Sequence, residues 1–428
     1  MSQSAILVIA DYLTGAADTG VAFAAAGYST AIPLSGRALP AADVLALTTE
    51  SRDLLPEQAF ATVTSAVARS CRDDTGFGET LIYKKIDSAL RGHPGPELAA
   101  VMEVTGLRRA LVAPAFPGEG RTTIGGIQHL HGQPIAHGPM GVTSSDVRAV
   151  IGIGHDIPVR SVGLDVVRGN RAILAAALAG EAEEIVQIDA ETDDDLARIA
   201  RAAVQTSPAI LSGAAGFARA LATILPMHPA IPDPVALDKR DRPVLVVAGS
   251  QHAATARQVE TLRGAGAAVV QLSQEIVDAD DAEARSEMDL FSDALALALT
   301  SGNLTVVTTV GLAPARSGGR SIAERLAAIV TAPKVVDTVG GLSLTGGDVA
   351  MAACHALGAE AIWLRGEIAA GQPWGVLAGG MRPGLPITTK AGSFGDENAL
   401  RDAAEFLAKT HTPPPFPSSR ERGWGETM

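Results

Sequence analysis

Near the C-terminal end, the segment Leu342-Ser-Leu-Thr-Gly-Gly-Asp348 runs directly into Val349-Ala-Met-Ala-Ala-Cys-His-Ala-Leu357, a helical pattern. A Thr-Gly-Gly-Asp turn that opens a helix holds what phosphoryl transfer needs. Two glycines let the backbone approach a polyphosphate, and the helix start offers unpaired N–H groups to its charge. Asp348 then stands beside the anion hole, placed to take a hydroxyl proton or to hold a metal ion. The turn taken alone fits equally a plain Gly-rich helix start with Asp348 as its cap.

A second group lies in Tyr83-Lys-Lys-Ile-Asp-Ser-Ala-Leu-Arg-Gly92. Lys85, Asp87, Ser88 and Arg91 crowd the end of a predicted strand just before Pro94-Gly95 restarts a helix. These types suit a small polyhydroxy acid: Arg91 would grip a carboxylate with its fork while Asp87 accepts from hydroxyls. A solvated charged loop has the same composition. Asp11-Tyr-Leu-Thr-Gly-Ala-Ala-Asp18 places Asp11 where the first strand stops, with Thr14-Gly15 beginning a helix and Thr14 as its cap. Ala113-Pro-Ala-Phe-Pro-Gly-Glu-Gly-Arg-Thr-Thr123 is dense in Pro and Gly and reads as a long rigid loop, with Arg121, Thr122 and Thr123 lining the same crevice. In the second half, Val247-Ala-Gly-Ser250 and Thr388-Thr-Lys-Ala-Gly-Ser-Phe-Gly395 end strands with small residues and one cation, Lys390. No Gly-x-x-x-x-Gly-Lys-Ser/Thr loop and no Gly-x-Gly-x-x-Gly fingerprint occurs.

Such loops need strands to place them. Ala5-Ile-Leu-Val-Ile-Ala10 is a continuous apolar run, as in a buried parallel strand. Further strands are expected near 43–47, 81–86, 109–113, 158–162, 184–188 and 209–211, with helices at 16–26, 56–69 and 193–204. Four prolines within Pro226–Pro234 exclude a helix or a central strand, so residues 226–242 read as a linker between domains 1–225 and 243–428. A new alternation follows, with strands near 243–248, 267–272, 304–309, 361–364 and 385–388 and helices near 253–264, 281–299, 319–329 and 347–357. The fold class is therefore α/β: two three-layer α/β domains with largely parallel sheets and a cleft between them. Ligands in such sheets bind beyond the C-terminal ends of strands, where these loops fall.

Composition narrows the partners. The chain has 428 residues, 34 Lys plus Arg against 47 Asp plus Glu, and a net charge of −13. With 4% aromatics it offers neither a basic stripe nor a stacking platform, which argues against nucleic acid. No apolar run reaches the length of a membrane span, and Met1-Ser-Gln-Ser-Ala lacks a basic signal region, so a cytoplasmic protein is expected. Cys71 and Cys354 stand far apart and read as small buried hydrophobes. His129, His131 and His137 have no Cys or paired carboxylate to complete a zinc set, Asp193-Asp-Asp195 reads as an acidic first helical turn, and Glu367 follows a strand as a polar wall of the crevice.

Taken in order, Asp11-Tyr-Leu-Thr-Gly15, Lys85-Ile-Asp-Ser-Ala-Leu-Arg-Gly92, Pro114-Ala-Phe-Pro117 with Gly120-Arg-Thr-Thr123, Gly249-Ser250, Thr345-Gly-Gly-Asp348 and Lys390-Ala-Gly-Ser-Phe-Gly395 resemble the four-carbon acid sugar kinases over nearly the whole chain. The resemblance implies an ATP-dependent kinase, working with Mg2+, that phosphorylates a hydroxyl of threonate, erythronate or an oxo-tetronate. It also implies an acid sugar in the N-terminal domain and ATP in the C-terminal one. Carried over by position, Asp11, Arg52, Lys85, Asp87, Ser88 and Arg91 would contact the sugar acid. Ser250, Thr345, Gly346, Gly347, Asp348 and Gly392 would contact the nucleotide, and Asp348 or Asp87 would accept the hydroxyl proton. Arg52 rests on the short match Thr49-Glu-Ser-Arg52. The family places a second aspartate directly after the first, and here that position is Tyr12.

The expected partners are a small-molecule sugar acid and ATP, without nucleic acid or membrane and with a homo-oligomer allowed. Two rivals use the same residues. A non-catalytic sensor would bind the sugar acid or nucleotide without turnover. A lyase or aldolase would form a Schiff base on Lys85 or Lys390, which needs an apolar pocket that neither lysine's sequence neighbours provide.

Overall fold

Ile6-Leu-Val-Ile-Ala10 is buried at every residue, because a strand between two parallel neighbours has no solvent face. The computed structural model describes residues 5–35, 39–70, 77–138, 142–206, 208–226, 234–238, 242–279, 281–301, 304–313 and 322–410. Cys71, most of the proline-rich stretch and the Pro413–Ser419 tail lie outside the described residues.

The chain divides into an N-terminal unit, Met1–Pro234 with Glu360–Glu367, and a C-terminal unit, Val235–Ala359 with Ile368–Met428. In the N-terminal unit the strands lie in the order Thr30–Pro33, Val44–Thr48, Ile6–Ala10, Leu81–Lys85, Ile210–Gly213, Arg109–Ala113, Glu184–Ile188, Val159–Val162, all parallel. Helices Leu13–Ala25, Ala215–Ala222 and Asp193–Ala203 pack side by side as one layer, and Pro56–Ser70, Pro94–Thr105 and Val147–Ile151 form the other. In the C-terminal unit the parallel order is Ala268–Gln271, Thr305–Thr308, Val244–Ala248, Gly341–Thr345, Pro386–Lys390, with Gln372–Ala378 antiparallel at the end. Both units are α/β.

The structure departs from the expected C-terminal domain at residues 360–367, which belong to the N-terminal unit. Ala361 pairs with Pro33 and Leu364 with Thr30, antiparallel, at the edge of the N-terminal sheet. An apolar run reads the same whichever sheet it joins, so the sequence pattern alone assigns it to its chain neighbours. Thr30–Pro33 and Gly341–Thr345 are strands that the pattern did not announce. The Pro- and Gly-rich stretch expected to be a rigid loop instead leads into a hairpin, Arg121–Ile124 against Ile127–Leu130, turned by Gly125 and Gly126 at φ 62 and 78. Among the described residues, no helix is long and apolar enough to cross a membrane.

Candidate active site

Two clusters of loops stand at strand ends, one in each unit. In the N-terminal unit, Ile6–Ala10 ends at Asp11, which is 2% exposed. Its carboxylate accepts from Nε and Nη2 of Arg52 at 2.8 and 3.1 Å. Arg52 reaches it from the loop after Val44–Thr48, and that loop is tied down on three sides. Thr49 Oγ1 donates to the Ala10 carbonyl, Ser51 N to the Asp11 carbonyl, and Ser51 Oγ to Glu97 Oε1. Glu97 in turn forms a fully buried ion pair with Lys84 at 2.7 Å.

The neighbouring strand Leu81–Lys85 delivers Asp87. Arg91 donates to both its oxygens, Nε to Oδ2 at 2.7 Å and Nη2 to Oδ1 at 2.9 Å. Leu90, at φ 60, closes the intervening turn. Arg52 Nη2 lies 3.9 Å from Asp87 Oδ1, so Asp11, Arg52, Asp87 and Arg91 alternate in charge as one chain. Burial alone would raise the Asp87 carboxyl, but Arg91, Arg52 and Lys85 hold it well below the usual carboxylate range. The fork of Arg91 thus closes on Asp87 rather than standing open, and Asp87 is a poor proton acceptor. Nη1 of Arg52 and of Arg91 makes no hydrogen bond among the described residues, which leaves planar donors for an anion. Lys85 is buried beside them with Nζ donating to the Ile86 carbonyl, and burial lowers its pKa against the pull of Asp87, Asp18 and Asp11. Ser88 is 7% exposed, and its carbonyl accepts from Nε2 of Gln128 in the hairpin.

Tyr12 occupies the N-cap position of helix Leu13–Ala25 but its side chain caps nothing. The cap comes from Glu50, whose Oε1 accepts from Leu13 N at 3.0 Å, with the Glu50 backbone at φ 48. Thr14 is inside the helix, not its cap. The Tyr12 ring lies instead against the Arg52 guanidinium, with 4.9 Å from Cζ to the ring centroid.

In the C-terminal unit, three strand ends converge on glycines. Gly346, at φ 100, is the N-cap of helix Gly347–Ala356, so Asp348 is the second helical residue and not the cap. A Cβ on Gly392 would fall 1.8 Å from Ser250 Oγ, and one on Gly249 would fall 2.2 Å from Val349 Cγ2. A side chain at either position would have to displace the Ser250 or Val349 side chain that faces it. Gly249 N donates to the Thr345 carbonyl and Gly346 N to that of Lys390. The 392–396 loop is held by Thr255 Oγ1 on the Gly392 carbonyl and by Gln258 Nε2 on those of Phe394, Gly395 and Asp396. The amides of Gly347 and Asp348 stand at a helix start, where no intrahelical carbonyl reaches them. Among the described residues, Thr345 Oγ1 is buried without a hydrogen-bond partner. Asp348 presents its carboxylate at this helix start, and desolvation raises its pKa. Lys390 is 1% exposed, donates to the Ala391 and Phe394 carbonyls, and is pushed down to about 8 by burial. Both lysines are thus buried despite polar sequence neighbours, yet each ammonium is committed to backbone oxygens.

No group of three or more His, Cys, Asp or Glu side chains fit to hold a metal occurs among the described residues. Asp195 forms a capping box with Thr192 and pairs with Arg168, in keeping with an acidic first turn. Glu367 is bound by both Nη groups of Arg219.

Residues 6–221 match the profile of a sugar-binding N-terminal domain, and residues 245–400 that of a nucleotide-binding C-terminal domain. A D-threonate kinase of Salmonella typhimurium is 35% identical over 95% of this chain and 99% of its own. One from Cupriavidus necator is 33% identical over 95% and 99%. A D-erythronate kinase of Heliobacterium modesticaldum is 31% identical over 95% and 97%. A crystal structure from Salmonella typhimurium LT2 superposes with a TM-score of 0.75 over 93% of this chain and 98% of its own, and at 19% identity establishes the fold alone. Fold and matches define a protein that joins a sugar-binding to a nucleotide-binding half. The chain belongs to the four-carbon acid sugar kinase family.

Sequence reasoning passed over Asp18, Arg219 and Glu50. For Asp18 a signal existed, since it is the one charged residue in the helix LTGAADTGVAFAA.

Proposed function

We propose that this chain transfers the γ-phosphoryl group of ATP to a hydroxyl of a four-carbon sugar acid, with D-threonate the first acid to test. The observation that carries the reading is the alternating chain Asp11, Arg52, Asp87, Arg91 at the ends of three adjacent parallel strands. Each arginine is fixed by a carboxylate, so its remaining donors are aimed before a ligand arrives. Arg52, Arg91 and Lys85 hold the substrate carboxylate, while Asp11 and the Ser88 hydroxyl orient its hydroxyls. In the C-terminal unit the Gly347 and Asp348 amides take the phosphate charge, and Ser250, Thr345, Gly346 and Gly392 admit the nucleotide backbone-close. A bound Mg2+ would neutralise the phosphates and needs one or two carboxylates, for which Asp348 is placed.

Committed ammonium groups weigh against the Schiff-base rival. The sensor rival predicts binding without turnover. The deciding experiment is a coupled ADP-release assay with MgATP against D-threonate, D-erythronate and oxo-tetronates. Release with one acid supports the kinase and names its substrate. Silence across the panel, with acid binding retained in a thermal-shift assay, would overturn it in favour of the sensor.

A further inference from the structure

Helix Leu13–Ala25 is otherwise made of small, apolar and hydroxyl residues, and Asp18 is buried within it at 7% exposure. Among the described residues, Oδ1 takes no hydrogen bond within 3.5 Å and is closed off from solvent, while the side chain as a whole keeps 10% exposure. A buried carboxylate ordinarily accepts several donors, and a bare one is costly. The donors around it each have a partner besides Asp18. Arg219 Nη2 forms an ion pair with Oδ1 at 3.6 Å, while both its Nη groups also donate to Glu367. Lys85 Nζ is on the Ile86 carbonyl, and the Tyr83 hydroxyl is on that of Ala214. Glu119 and Glu367 add negative charge around it. A Cβ on Gly15, one turn before Asp18, would lie 3.7 Å from Lys85 Cγ and 3.8 Å from Asp11 Oδ1, so this helix packs against the sugar-acid cluster.

We infer that Asp18 is the catalytic base: its carboxylate, held at 3.6 Å by an arginine that also serves Glu367, takes the proton of the sugar acid's acceptor hydroxyl. The inference rests on the kinase reading above. In the step, the acceptor oxygen bonds to Pγ while the bond from Pγ to the β,γ-bridging oxygen breaks. That electron pair leaves on ADP, and the hydroxyl proton passes to Asp18 and then to solvent. Asp11 and Asp87 are neutralised by arginine forks and serve poorly. Asp18 is pushed up to about 6 by burial against the pull of Lys85 and Arg219, within the working range of a base.

The test is Asp18→Asn, assayed with the acid that the wild type turns over. Expected is a kcat lower by roughly 10²-fold with KM within a few-fold, and loss of the wild type's acidic limb near pH 6. Stability separates this from a structural role. A raised carboxyl binds its proton in the folded state first, so the wild type loses stability as pH rises from about 4 through 6. The variant should therefore melt higher than wild type at pH 8 and close to it at pH 5. Unchanged kcat with the limb intact would overturn the inference and leave the kinase standing. So would a variant that melts lower at pH 8 or fails to fold, since the carboxylate would then be structural. A wild type without ADP release on any acid would overturn the kinase reading, and this inference with it.

Discussion

The Tyr12 ring lies 4.9 Å from the guanidinium carbon of Arg52, while Nε and Nη2 of the same guanidinium donate to Asp11. One arginine is thus fixed edge-on by a carboxylate and face-on by an aromatic ring. The helix cap is supplied by Glu50, so Tyr12 is free of that duty. Counting the cluster, Arg52, Arg91 and Lys85 exceed Asp11 and Asp87 by one positive charge, which suits an anionic substrate.

Tyr12→Phe should leave the KM for the sugar acid within about twofold, because the ring face is retained. Tyr12→Asp should raise it about tenfold, or about 1.4 kcal/mol, since a new carboxylate would compete for Arg52 and cancel the surplus charge. Steady-state kinetics on both variants decide the matter. A lower KM in Tyr12→Asp would show that this position recognises hydroxyls and not charge.

Arg91→Ala should lower kcat/KM by about 10²-fold, in line with loss of charge-assisted hydrogen bonds to the acid. Asp348→Asn should cost less, because the Gly347 and Asp348 backbone amides that take the phosphate charge are retained. Near-wild-type turnover by Arg91→Ala would remove the 85–91 loop from the site.

Gly392→Ala places a Cβ 1.8 Å from Ser250 Oγ, so the Ser250 side chain or the 391–395 loop must shift. Overpacking of this kind costs about 1–3 kcal/mol. Calorimetry should show ATP binding lost or strongly weakened and sugar-acid binding kept. Equal loss of both ligands would mean that the substitution unfolds more than the nucleotide loop.

Lys84→Met leaves Glu97 buried without its cation, at 0% and 2% side-chain exposure for the original pair. Removing one partner of such a pair typically costs about 3–5 kcal/mol. Urea denaturation should register that loss, and Lys84→Met combined with Glu97→Leu should recover much of it. Activity should fall as well, because Glu97 also accepts from Ser51 and so steadies the loop that carries Arg52. A single variant as stable as wild type would show that the pair is dispensable.

Much of this protein was written into its local pattern. Continuous apolar runs such as Ile6–Ala10 and Val244–Ala248 announce parallel strands, and the residues just beyond them, Asp11 and Gly249-Ser250, must then stand at strand ends. Helices Ala253–Gly264 and Asp281–Leu299 follow the same local logic. The twelve proposed contact residues were named by their resemblance to the four-carbon acid sugar kinases, in loops that the strand ends locate, with Arg52 resting on the short match Thr49–Arg52.

What each side chain touches was decided only by the tertiary structure. Arg91 carries the same fork whether it faces a ligand or Asp87, and packing turned it onto Asp87. Residues 361–364 are apolar in either sheet, and pairing with Thr30–Pro33 gave them to the N-terminal unit. Asp18 reads as one polar residue in a small-residue helix. Its meaning comes from Arg219 and Lys85, brought to it by a helix and a strand that are remote in sequence and shared with other partners. Sequence periodicity encodes the direction a residue faces, but the charge environment at that place is a sum over distant segments, and only the fold performs it.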